Sequence, residues 1–165
     1  MMTRTSVILA LVTLGVAAPV TSAQAQADML GSYSGTVRAT SFAGGKDASK
    51  MSGSVTITPS KTSAGTYKVE IRLSTRGDSP TASSTGYLQW SISPGRCGAR
   101  VQFLVQPSEV SPLDIRSGGN AEVMWEGKLP LTGGEGSYQL MIYDRGVREQ
   151  DIVGCANLKY NKPKS

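Results

Sequence analysis

Apolar and polar residues alternate with a period of two along much of this chain. From Met51 to Thr58, apolar residues or glycine alternate with serine and threonine, and from Tyr67 to Ser74, apolar residues alternate with mainly charged ones. This period is typical of a β-strand with one buried face. Pro59 to Gly65 separates the two stretches with turn-forming residues. The pattern therefore predicts a β-hairpin.

The same alternation recurs in six further short stretches, which are rich in β-branched and aromatic residues. They are Tyr33–Ala39, Leu88–Ile92, Val101–Val105, Ala121–Trp125, Tyr138–Ile142 and Ile152–Leu158. Clusters of Gly, Pro, Ser and Asp separate them, and none carries a helical apolar stripe. About eight short strands at this spacing predict an all-β fold, an eight-stranded Greek-key β-sandwich or barrel.

The N-terminus has the three parts of a signal peptide. A basic start at Arg4 precedes an apolar run from Val7 to Ala18, and two Ala-x-Ala sites follow, the second ending at Ala27. The apolar run is too short to span a bilayer. We predict a cleaved signal peptide over residues 1–27, one β-sandwich domain over 28–160 and a flexible C-terminal tail over 161–165. Export to the periplasm or the medium follows from this prediction.

The charge is modest and spread thinly. Without residues 1–27 the chain keeps 16 basic and 12 acidic residues. Nucleic-acid binding is not predicted, because the chain has neither a Lys/Arg stripe nor an RNA-binding motif. The lysines between Lys159 and Ser165 are typical of a solvated terminus, with a polyanion site as the alternative.

Histidine is absent, and the two cysteines, Cys97 and Cys155, are expected to form a disulfide in an oxidising compartment. Histidine-based triads, cysteine nucleophiles and His or Cys metal sites are thereby removed together. We expect no cofactor and no bound metal. A carboxylate pair at Glu122 and Glu126 is conceivable, but two strand pleats separate the residues by roughly 13 Å. A solvated strand face is the favoured interpretation.

Two short motifs are also weak. Gly44-Gly45-Lys46 lacks the strand-loop-helix setting of a phosphate-binding loop, and Arg76-Gly77-Asp78 matches an adhesion tripeptide in form only. Both are interpreted as loop sequence.

The second half of the chain resembles a known family. The run from Trp90 to Cys97 is similar to the copper-ligand strand of copper,zinc superoxide dismutases and their chordin-type (CHRD) relatives, in which His-x-His precedes Gly-x-Cys. Ser111-Pro112-Leu113 and Gly119-Asn120-Ala121 resemble the connection into the family's sixth strand. The stretches Tyr138–Tyr143 and Ile152–Leu158 resemble its last two strands, and the resemblance implies the Cys97–Cys155 pairing.

The departures from this family concern its metal chemistry. Ser91, Ser93 and Tyr143 stand where the resemblance places histidine ligands. The segments after Cys97 and after Tyr143 are too short for the family's zinc and electrostatic loops. Superoxide dismutation is therefore not expected.

The pleat of two strands defines a candidate binding face. If Leu88, Trp90 and Ile92 point inward, Gln89, Ser91 and Ser93 point outward, and Met141 and Tyr143 do so on the later strand. The resemblance makes the two strands neighbours. We predict an uncovered contact surface of these five residues, with an ordinary solvated sheet face as the alternative.

Two classes of function remain. The favoured one is an exported, non-catalytic binding or structural module that lost its metal site and contacts a protein or a cell-envelope component. The alternative is a secreted enzyme using carboxylate or Ser/Lys chemistry, or an inhibitor of a secreted enzyme. A pocket holding two carboxylates would favour the enzyme.

Overall fold

The structure is a computed structural model that describes residues 30–40, 50–76, 86–116, 118–144 and 146–163. The predicted signal peptide lies outside the described residues, as do Gly44-Gly45-Lys46, Gly77 and Asp78. Among the described residues, no helix has the length and apolar character needed to cross a membrane.

Eight strands account for most of the described chain. In order they are β1 (Ser32–Ala39), β2 (Lys50–Pro59), β3 (Thr66–Arg76), β4 (Tyr87–Pro94), β5 (Leu113–Asp114), β6 (Asn120–Lys128), β7 (Tyr138–Tyr143) and β8 (Ile152–Asn161). Short 3-10 turns lie at Pro107–Glu109, Gly133–Glu135 and Glu149–Asp151. The last strand ends one residue inside the predicted C-terminal tail.

The strands form one antiparallel sheet that curls into a nearly closed barrel. Its order is β5-β4-β7-β8-β1-β2-β3-β6, so β3 pairs with β6 and β4 with β7 by crossing connections. A bridge between Ile115 and Ala121 brings the two ends of the sheet together. The predicted all-β fold, its strand number and its single disulfide are confirmed, with Cys97 and Cys155 joined at a Cα–Cα distance of 6.0 Å.

One predicted strand is wrong. Val101–Val105 forms only an isolated bridge between Val105 and Ile92, and the eighth strand is the short β5 instead. The segment from Cys97 to Val105 follows a glycine-containing turn. Pro107, only two residues after it, begins a 3-10 turn. Since proline cannot donate a ladder hydrogen bond, little room remains for a strand between these two features.

The core fills the inside of the barrel, as the alternation predicts. Leu88, Trp90 and Ile92 of β4 are fully buried, and so are Leu140 and Ile142 of β7. The Trp90 Nε1–H group donates to the Ser111 carbonyl oxygen at 2.8 Å, and the Trp90 ring meets Trp125 edge-on at 5.9 Å. Trp90 therefore ties the segment between β4 and β5 to the core.

Candidate functional site

The predicted contact residues do lie on one face of neighbouring strands. In the ladder between β4 and β7, Gln89 pairs with Tyr143 and Ser91 pairs with Met141. Ser93 is two residues further along β4, opposite Gln139. The adjacency that the family resemblance implied is thus present in the structure.

The expectation that this face is uncovered is wrong. Ser91, Ser93, Met141 and Tyr143 are buried, each with no more than 2% of its surface exposed, and Gln89 is half-buried. A second small core forms on this outer side from Met141, Tyr143, Ile152 and Cys155, with Val101 packed against it. Ser91, Ser93 and Tyr143 cannot contact a partner without a change in structure.

The cover is the segment that follows β4. Gly95 adopts a φ of 96°, a left-handed conformation that favours glycine, and its N–H donates to the Ser137 carbonyl at 2.8 Å. The Cys97 N–H donates to Asn157 Oδ1 at 2.8 Å, beside the disulfide to Cys155. Leu104 returns to β4, where its N–H donates to the Ile92 carbonyl at 2.9 Å. The segment is therefore fixed over the sheet at several points.

A short polar chain runs beneath this cover. The Ser91 Oγ and Tyr143 hydroxyl are hydrogen-bonded at 3.0 Å, and the Tyr143 hydroxyl lies 3.8 Å from Met141 Sδ. Burial raises the pKa of Tyr143 above its ordinary value, although the bond with Ser91 acts in the opposite direction. The phenol is accordingly neutral at physiological pH and serves as a hydrogen-bonding group.

Ser93 and Gln139 are less well satisfied. Ser93 Oγ is buried and has no hydrogen-bond partner among the described residues. Gln139 is fully buried, and its Nε2 donates to the Pro94 carbonyl at 3.4 Å. A buried hydroxyl without a partner destabilises the folded state.

This difference predicts opposite effects for two serine variants. Ser93→Ala should raise the free energy of unfolding by about 1 kcal/mol, because it removes an unpaired buried hydroxyl. Ser91→Ala should lower it by about 1 kcal/mol, because the Tyr143 hydroxyl loses its bond. Urea denaturation of the two variants beside the wild type measures both changes. A loss of stability in Ser93→Ala equal to that in Ser91→Ala would contradict the assignment.

An open pocket of about 270 Å³ remains at the edge of the buried face. We call it the Met141 pocket; its lining consists of residues 98–101, Met141, Glu149 and Ile152. Val101 is partly exposed and Met141 and Ile152 are almost fully buried, while Arg100 and Glu149 are exposed. Neither Arg100 nor Glu149 forms an ion pair with another described residue. A cation and an anion, neither of them ion-paired within the described part of the chain, therefore lie at the rim of the pocket.

Sequence reasoning missed this pocket. The predicted strand over Val101–Val105 gave no sign of the loop whose residues 98–101 line the Met141 pocket. Gly95 and Gly98 on either side of Cys97, followed by Pro107, were the signal of a loop in this region.

The carboxylates of β6 do not form a catalytic pair. Glu122 accepts from Arg72 Nε at 3.1 Å, whereas Glu126 accepts from the Ser60 hydroxyl at 2.5 Å. Both glutamates and Met124 are exposed, in agreement with a solvated strand face.

Three pockets formed by described residues each contain at most one carboxylate. Besides the Met141 pocket, a depression of about 210 Å³ has Glu122, and one of about 400 Å³ has none. The latter includes Ser34 and Lys159, which face each other in the β1–β8 ladder. Lys159 is exposed, so its side chain is solvated. The described residues also contain no group of three His, Cys, Asp or Glu side chains that could hold a metal ion.

No protein-family model matches this chain, and no curated protein matches it significantly.

Proposed function

We propose that this protein is an exported, non-catalytic binding module and that its ligand contact is the Met141 pocket. The N-terminal pattern over residues 1–27 and the Cys97–Cys155 disulfide are compatible with an oxidising compartment outside the cytoplasm. The resemblance to superoxide dismutase and chordin-type domains belongs to the same proposal. In this view the sandwich was kept while Ser91, Ser93 and Tyr143 replaced the metal ligands.

The observation that carries the proposal is the chemistry of the pocket. A pocket that combines apolar side chains with a few charged groups is a candidate binding site. Ala99 and Val101 are the apolar side chains of the lining that a ligand can reach, because Met141 and Ile152 are almost fully buried. Because Arg100 and Glu149 have no ion-pair partner among the described residues, both charges are available to a ligand.

The pocket composition points to a segment of polypeptide as the ligand. A volume of about 270 Å³ suits one large side chain more closely than a whole cofactor. An aliphatic or aromatic side chain of the partner would occupy the pocket. Flanking charges of the partner would form ion pairs with Arg100 and Glu149. A protein of the exported fraction or of the cell envelope is the expected partner.

The test is a pull-down from the exported fraction with matched charge variants. Purified protein is compared with an Arg100→Glu/Glu149→Lys double variant, which reverses both rim charges without touching the buried residues. Lys159→Glu on the distant surface of β8 is the control. We expect the double variant to lose the partner about tenfold in affinity, because two charge contacts become repulsive, and the control to retain it.

Two results would count against the proposal. Equal recovery of the partner by the wild type and the rim variant would exclude the Met141 pocket as the contact. Turnover of a substrate by purified protein, abolished in a serine or carboxylate variant, would establish the enzyme alternative. Melting temperatures of all variants show whether the fold is intact.

A further inference from the structure

In the part of the chain that the structure describes, strand β6 has a largely unpaired edge. β6 pairs with β3 along Asn120–Lys128, but on its other side the structure shows only the Ile115–Ala121 bridge and a bond from the Arg116 N–H to the Asn120 carbonyl at 2.8 Å. Beyond Ala121, no described residue is hydrogen-bonded to that side of the β6 backbone. Such an edge is a template for another strand.

The Arg116 bond identifies which backbone groups point away from β3. Along a strand, the N–H and C=O groups of one residue point to the same side, and successive residues alternate. Since Asn120 points away from β3, so do Glu122, Met124, Glu126 and Lys128. The side chains of these four residues are all exposed.

We propose that two copies of this chain associate through their β6 edges, antiparallel and with Trp125 at the two-fold axis. A symmetric contact requires one surface to complement itself. With the axis at Trp125, Glu122 of each copy faces Lys128 of the other, and Met124 faces Glu126. Two opposite-charge pairs then form from a single strand sequence.

Neighbouring registers lack this complementarity. The outward-pointing residues must stay opposite one another, so the axis can move only in steps of one whole residue. An axis at Met124 would place Glu122 against Glu126, and an axis one residue beyond Trp125 would place Glu126 against its own copy. Like charges directly opposite each other are unfavourable. The charges of β6 therefore select the Trp125 register.

Met124 supports a protein contact at the same place. Its side chain is 61% exposed although it is large and apolar. In the Trp125 register the two Met124 side chains are diagonal neighbours on one face, a separation that long side chains can bridge. Association would cover both.

The test reverses each of the two charges in a separate variant and then mixes the two variants. Glu122→Lys alone puts two lysines opposite Lys128, and Lys128→Glu alone puts two glutamates opposite Glu122. An equimolar mixture of the two variants restores both opposite-charge pairs in a heterodimer. Damage to the fold of either variant would not be repaired by mixing, so restoration is specific to the interface.

Sedimentation equilibrium of the purified protein follows association from about 10 μM to about 1 mM, because a contact of one strand pair belongs to the small, weak class of interfaces. We expect a wild-type dimer, single variants that associate about tenfold more weakly, and a mixture that recovers wild-type affinity. Added salt should weaken the wild-type dimer, since the pairs are exposed.

Lys159→Glu, which changes an equal charge on β8, should leave association unchanged. A wild-type monomer over the whole concentration range would overturn the proposal. The β6 charges would then serve to prevent edge-to-edge pairing of this strand. A dimer that ignores both substitutions, or single variants that do not recover on mixing, would overturn it as well.

Discussion

Replacing Cys97 and Cys155 together by serine is expected to lower the free energy of unfolding by about 4 kcal/mol. The disulfide closes a loop with a sequence separation of 58 residues, and in the chain-entropy model a loop of this length restricts the unfolded state by about that amount. For a domain of this size the melting temperature should fall by roughly 15 °C. Calorimetry of the variant and the wild type measures the change.

Structural consequences should accompany this loss. Cys97 lies in the segment that covers Ser91, Met141 and Tyr143, so release of the disulfide should also increase hydrogen exchange in residues 97–104. The core of β2 and β3, which the disulfide does not touch, serves as the internal control. Free thiols in the folded wild type, or a double variant as stable as the wild type, would contradict the expectation.

The second large effect is expected at Trp90. Trp90→Ala should lower the free energy of unfolding by about 4 kcal/mol, because it leaves a cavity at a site with no exposed surface. It also removes the Nε1 bond to the Ser111 carbonyl and the edge-on contact with Trp125. Denaturant titration with tryptophan fluorescence of Trp125 as the probe measures both stability and the local environment.

Trp90→Phe separates the two causes. Phenylalanine keeps most of the apolar volume but cannot donate to Ser111, so a smaller loss of about 1–2 kcal/mol is expected. Equal losses in the alanine and phenylalanine variants would assign the whole effect to the hydrogen bond and contradict the packing argument.

The buried serine–tyrosine face changes how the binding hypothesis can be tested. Charged substitutions at Ser93 and Tyr143 would place unpaired charges in a closed environment and unfold the region. Arg100 and Glu149 are the appropriate positions because they are exposed at the pocket rim. Loss of binding in these variants can be assigned to the contact.

Much of the fold was determined by the sequence alone, because strand alternation is a local property. Inward-facing residues such as Leu88, Trp90 and Ile92 follow directly from a period of two. The pairing of Cys97 with Cys155 needed only their number and the predicted compartment. These features do not depend on which strands are neighbours.

What tertiary structure decided was the environment of the opposite face. Alternation predicts that Ser91 and Tyr143 point away from the core, and they do, but it cannot reveal that another segment packs over them. That cover depends on a turn at Gly95, on the disulfide and on the bond from Cys97 to Asn157, which join residues about 60 positions apart. Contacts over such separations are set by the folded barrel, and the Met141 pocket and the open β6 edge arise from the same long-range arrangement.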